Sequence, residues 1–414
     1  MTVLFLWMLG CSNAPPSAEP APAVLPASVP SAPASPSASP SASAIDAEAV
    51  FVAAPSDCPP QTLGVPGGRF IMGSDGAEAG RDERPVHTVV VAPFCMDRTE
   101  MAGADGRTPR VFTAWADASA ACKERGGRLP TEAEFEKAAR GGCELGQDPE
   151  RCDSGDRRPY PWGKQAPNCE LANHSAVGPG GPKRCLEGPA SVDSYAKGAG
   201  PYGHINLAGN LWEATLDWHH PGVYRAGRTD NPAGPAEGRA HSLRGGAWNT
   251  FGTNMRISNR FSDHIHGSQI GARCVFAGGS PQVEDVPPLA WVDMAVEVRQ
   301  TSGAALDGRW LTVTAFDVAD LMPNGMPVLG RSPVSEAGAQ PSGESTQRVT
   351  IAVPDGVEVK ISAALDIGGS TSGPGPAASS GGIGWAAAAV RAAEGVQVPV
   401  VVAPLPAHPH TPRP

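Results

Sequence analysis

Two stretches decide how this chain reads: Gly203-His-Ile-Asn-Leu-Ala-Gly-Asn-Leu-Trp-Glu213 and Leu243-Arg-Gly-Gly-Ala-Trp-Asn249. Their mix of Gly, Asn, Trp and Glu follows neither a helical nor a strand period. It predicts loops that cross a core while something other than a regular ladder holds their backbone carbonyls. The surrounding sequence has the same texture, with Tyr160-Pro-Trp-Gly163, Asn168-Cys169, Cys185, Trp212, Trp218 and Trp248 set among Gly and Pro. Loops this long in a compact domain need disulfides, a metal ion or stacked aromatics to fix them.

Regular elements are expected before that region. Trp115, Ala118 and Cys122 recur at helical spacing, and Gly126-Gly127 ends the run. Thr131 followed by Glu134 forms a capping box, so Arg128 to Gly141 predicts an N-capped helix of about ten residues. Val65 to Ser74, with glycines at its ends, and the β-branched run His87 to Val91 predict strands.

With 414 residues the chain is long enough for two domains plus appendages. Its 50 Gly and 44 Pro predict more loop than regular structure, and a net charge of −10 lacks the basic excess that would hold a phosphate backbone. Nucleic acid is therefore excluded as the expected partner.

Met1 to Cys11 is too short to span a bilayer as a helix. It resembles a bacterial lipoprotein signal, with Gly10 before Cys11, and the resemblance implies cleavage before Cys11 and lipidation of its thiol. The expectation is an exported protein anchored by lipid to a bacterial membrane, at its periplasmic face or at the cell surface. Residues 12–57 are Ala, Pro and Ser with almost no charge, the composition of a disordered tether. A body is expected over 58–279. From residue 283 cysteine disappears, and strand-like runs at Leu289–Val298, Trp310–Phe316, Val349–Val353, Val357–Leu365 and Val396–Val402 predict a small antiparallel β-sandwich over 283–406. Asp366 to Pro376 reads as a glycine-rich turn whose single carboxylate is thin support for a metal, and residues 407–414 as a disordered tail.

Setting Cys11 aside, the other eight of the nine cysteines lie between Cys58 and Cys274. An even number in an exported domain predicts structural disulfides, and no Cys-x-x-Cys pair supports a zinc ribbon or a redox motif. His219-His220 and His264-Ile-His266 read as surface or hydrogen-bonded histidines, because neither spacing makes a metal site unaided.

Gly67-Gly-Arg-Phe-Ile-Met-Gly-Ser74, Arg84-Pro-Val-His87, Phe94 to Glu100, Arg128 to Glu136, Tyr160 to Gly163, Gly209 to Glu213, Asp217-Trp218, Arg244 to Trp248, Arg256 and Gly271-Ala-Arg-Cys274 occur in that order. Together they resemble the formylglycine-generating enzymes, or sulfatase-modifying factors. The resemblance implies an α+β fold related to C-type lectins, with little regular secondary structure. It also implies a Cys122–Cys274 bridge; proximity in sequence suggests Cys58–Cys95, Cys143–Cys152 and Cys169–Cys185. Asn206, Gly209, Leu211 and Glu213 match a family calcium site built of hard oxygen donors. A second family calcium site is expected to be degenerate, since its Asp position falls on Arg184 and leaves Asn168 alone. Enzymes of the family that generate formylglycine use two cysteines after the Gly-Gly motif to bind copper. Those positions fall here on Thr250 and Met255. A hydroxyl and a thioether supply no thiolate, so copper oxidase chemistry is not expected. The reading that follows is a non-catalytic, lipid-anchored envelope protein that binds a protein or glycan ligand, with Trp248, Arg256 and Arg260 as candidates to line a groove. The alternative is an enzyme that modifies an exported partner through a divergent site.

Overall fold

A long body and a C-terminal sheet follow one another along the chain. The computed structural model describes residues 51–146, 152, 158–178, 181–262, 270–287, 289–300, 311–318, 335–340, 344–366, 380–386, 388–393 and 396–404. The expected lipid site at Cys11, the tether up to residue 50, His264 and His266, the turn beyond Asp366 and the tail lie outside those residues.

The body begins earlier than Cys58. Val52 and Gly67 exchange backbone hydrogen bonds at 3.0 and 2.8 Å, so the last residues assigned to the tether already pair with the fold. Four strands follow: β1 (Thr62–Val65), β2 (Gly68–Met72), β3 (His87–Val91) and β4 (Phe94–Asp97). β2 and β3 form a hairpin ladder, while β1 pairs with β4. Helix α1 (Trp115–Glu124) ends before Gly126, whose φ of 78° suits glycine. Helix α2 (Glu132–Arg140) starts with the expected box: Glu134 N–H donates to Thr131 Oγ1 at 3.1 Å, and Thr131 N–H donates to Glu134 Oε2 at 2.8 Å.

The remaining body strands are short: β5 (Ser175–Gly178), β6 (Gly181–Arg184), β7 (Trp212–Trp218), β8 (Pro232–Pro235), β9 (His241–Arg244), β10 (Phe261–Ser262), β11 (Ile270–Gly271), β12 (Val275–Phe276) and β13 (Gln282–Glu284). β7 lies between β9 and β11, β12 covers the other edge of β4, and β13 pairs in parallel with β8. Strand alternation then makes β4 a divider. Phe94 and Met96 join Phe70, Val89, Phe135 and Leu207 in one core, whereas Cys95 joins Phe112, Cys122, Leu129, Trp212 and Cys274 in the other.

Four disulfides join Cys58 to Cys95, Cys122 to Cys274, Cys143 to Cys152 and Cys169 to Cys185. They are the partners anticipated above.

The C-terminal region contains β14 (Trp291–Gln300), β15 (Leu311–Asp317), β16 (Ser335–Ala339), β17 (Thr346–Pro354), β18 (Glu358–Asp366), β19 (Ser380–Ala386), β20 (Val390–Arg391) and β21 (Gln397–Pro404). They form one sheet in the order β16-β15-β18-β19-β21-β14-β17, with β20 attached to β18. Every second residue faces a single apolar core: Met294, Val296 and Val298 meet Val313, Ile351, Ile361 and Val400. The two end strands, β16 and β17, also approach each other, so the sheet curls around that core. An entirely antiparallel arrangement does not hold, because β21 runs parallel to β14. The last strand returns beside the first and in the same direction, a pairing invisible to local pattern.

Candidate functional site

The two opening stretches meet in space. Gly209 N–H donates to Gly245 O at 2.9 Å, and Trp248 N–H donates to Asn210 O at 2.8 Å. Both segments turn through the left-handed region, with φ of 57° at Asn206, 79° at Gly209, 65° at Asn210, 93° at Gly245 and 80° at Gly246. Asn tolerates that region and Gly favours it. At Gly246 a side chain would also meet Met255 Cγ at 3.0 Å.

Thr250 and Met255, the positions on which the resemblance puts the family's thiols, follow this turn. Thr250 Oγ1 donates to Ala247 O and accepts from Ala247 N–H, both at 2.9 Å, so its hydroxyl closes the turn. Met255 is 0% exposed and packs with Tyr160, Ala172 and Ala208. All eight described cysteines are in disulfides.

The groove candidates separate. Arg256 is 5% exposed, and its guanidinium donates to both Glu83 oxygens at 2.6 and 2.7 Å. Arg260 is 1% exposed, lies over the Tyr224 ring and holds Glu132. Both cations are therefore inside the body, compensating buried carboxylates of α2 and the loop before β3, rather than facing a ligand groove. Trp248 is half-buried beneath the Arg184 guanidinium, 5.0 Å from its ring centre.

Two of the four candidate calcium residues, Asn206 and Leu211, together with Asn210, donate to a carboxylate that sequence reasoning left unassigned, Glu100. Its Oε2 accepts from Asn210 Nδ2 at 2.7 Å and Asn206 Nδ2 at 3.2 Å, and its Oε1 accepts from Leu211 N–H at 3.2 Å. Burial, followed by the Glu213 charge, pushes the Glu100 carboxyl up to about 8 despite those donors. Burial also raises Glu213, against Arg273, which donates to both its oxygens at 2.6 Å. Asn206 Oδ1 is buried without a hydrogen-bond partner. The orphaned Asn206 amide oxygen and the Glu100 and Glu213 carboxylates are the hard donor types that calcium takes, although Arg273 already engages both Glu213 oxygens. The signal for Glu100 was present in Phe94-Cys-Met-Asp-Arg-Thr-Glu100. Its destination depended on contacts more than a hundred positions away, such as Asn210 with a separation of 110.

The expected degenerate site has a different solution. Asn168 and Arg184 stand one residue before Cys169 and Cys185, and the disulfide joins those neighbours.

Residues 103–277 match the family described as Sulfatase-modifying factor enzyme 1-like domain. The formylglycine-generating enzyme of Streptomyces coelicolor is 34% identical over 176 residues, covering 40% of this chain and 52% of that protein. Hercynine oxygenase of Mycolicibacterium smegmatis is 29% identical over 260 residues, covering 48% of this chain and 57% of that protein. Among solved structures, PvdO from Pseudomonas aeruginosa aligns with a TM-score of 0.40 and 22% identity, covering 54% of this chain and 97% of that one. The chain spans about half the length of these two curated relatives. Residues 103–277 thus match a sulfatase-modifying-factor domain, with formylglycine-generating enzymes among the homologues.

Proposed function

We propose that this protein is held at a bacterial cell envelope by lipid on Cys11, and that its lectin-related body is a non-catalytic module that binds an envelope protein or glycan. One observation carries the non-catalytic part: where family enzymes need thiolates, the Thr250 hydroxyl is committed to Ala247 and the Met255 thioether is buried. Neither group ionises to a nucleophile, and neither forms a disulfide. Asn206, Gly209, Leu211 and Glu213 hold calcium in this reading, which would neutralise the Glu100 and Glu213 charges and stiffen the loops that present a ligand surface.

The test is to incubate the soluble chain with copper, oxygen and a sulfatase-type cysteine peptide, alongside saturable co-sedimentation with isolated envelope fractions. An unchanged peptide mass and sedimentation competed by excess unlabelled protein are expected. Conversion of the peptide cysteine to formylglycine would overturn the reading and favour the divergent enzyme.

A further inference from the structure

Cys169, His174 and Cys185 form a cluster that neither the calcium reading nor the thiol positions use. A His174 ring nitrogen and both sulfurs lie within 4.8 Å of one another. The β5–β6 hairpin places them. Ser175 pairs with Arg184, so His174 and Cys185 stand opposite each other one step further, and Cys185 N–H donates to His174 O at 2.9 Å. Cys169 comes from the turn before the hairpin, whose carbonyl at Asn168 accepts from Leu171 and Ala172 N–H. Backbone hydrogen bonds hold both arrangements alongside the sulfur–sulfur bond.

The histidine is set for a ligand. His174 Nδ1 lies 2.8 Å from Ser175 O, which can only accept, so Nδ1 carries the proton and Nε2 the lone pair. That lone pair is buried without a hydrogen-bond partner in a residue only 3% exposed. A buried imidazole acceptor is costly as packing alone, and with two sulfurs close to the ring it supplies the donor types of a Cys2His ligand set. Cys169 is moreover the one exposed half-cystine among the described residues, so this bond meets an external reductant first.

We propose that Cys169–Cys185 is a redox-gated metal site: opening the disulfide creates a Cys2His centre for a thiophilic ion such as zinc(II). The balance is simple. An external dithiol gives two electrons and two protons, the Sγ–Sγ bond breaks into two thiols, and the dithiol closes its own disulfide. Zinc(II) then releases both thiol protons to solvent and bonds the two sulfurs and His174 Nε2, leaving the fourth position to water. A covalent clamp on the hairpin is exchanged for a metal clamp, so the hairpin keeps its place in either state. Ser175 N–H donates to Thr250 O at 2.8 Å, which ties the hairpin to the turn carrying Trp248.

The experiment titrates the full oxidised chain with dithiothreitol, maps alkylated cysteines by mass, then adds zinc(II) and records native mass spectra. Cys169 and Cys185 are expected to open before the other pairs, one zinc to bind with loss of two protons, and both thiols to become protected from alkylation. His174→Ala and His174→Gln should weaken zinc binding by more than the ~10-fold seen on loss of an outer-shell partner. Failure to retain zinc, equal binding by both variants, or earlier opening of another pair would each overturn the proposal. If reduction unfolds the chain by circular dichroism, refolding on zinc addition supports the site, and its failure rejects it.

Discussion

The body and the C-terminal sheet solve the same problem by different means. In the sheet, alternation puts Val, Ile, Leu and Met on one face, and the only buried polar residue described in its strands is Ser362. The body buries Glu83, Glu100, Glu132, Glu136, Glu213, Asp217, Arg244, Arg256, Arg260 and Arg273 together with its disulfides. Long irregular loops cannot satisfy one another through ladders, so guanidinium groups reach between segments and tie carboxylates and carbonyls at once. Arg273, for example, holds Glu213 and also donates to Ile205 O at 3.1 Å. The lesson concerns robustness: the sheet rests on many interchangeable methyl contacts, the body on a few pairs that cannot lose one partner.

Substitutions can break that contrast. Arg273→Met leaves the Glu213 charge buried and unpaired, and should destabilise the body by ~3–5 kcal/mol or prevent its folding. Urea denaturation followed by tryptophan fluorescence reads this, and a shift below about 1 kcal/mol would mean that the ion pair is dispensable. A pH effect of similar size is expected. Because the folded Glu100 carboxyl is raised to about 8, the folded state keeps a proton that the unfolded chain has lost above the ordinary carboxylate range. Stability should therefore fall as pH rises from about 5 to about 8, and Glu100→Gln should flatten that slope. Added calcium should restore stability most at the alkaline end, since it replaces the proton; thermal melts across pH, with and without the ion, check both statements. The smallest change belongs to the sheet: Ile351→Val should cost ~0.5–1.5 kcal/mol. Hydrogen exchange should show the loss confined to β14, β17 and their neighbours; spread into the body would show that the two cores are coupled.

Local chemistry was legible where it acts over a few residues. The Thr131–Glu134 box, the stop at Gly126, and the runs that became β14, β15, β17, β18 and β21 could all be read directly. Three strands of that sheet escaped: Ser335-Glu-Ala-Gly-Ala339 and Ser380-Gly-Gly-Ile-Gly-Trp-Ala386 have too few branched side chains to announce a sheet, and Val390-Arg391 is too short to show a period. Arg256 and Arg260 were legible as important yet not as buried, because Glu83 and Glu132 lie 173 and 128 positions away. His174 carried no signal at all. Only the hairpin register brings it against Cys185.

Two strands near the ends of the body, β1 and β12, share one neighbour. β1 and β12 flank β4, both antiparallel to it, and so run in the same direction. A pull on the chain from both sides would drag these two strands in opposite senses along β4, loading their hydrogen bonds together in shear instead of opening them one by one. Cys58–Cys95 and Cys122–Cys274 sit at the same place and carry part of that tension through covalent bonds.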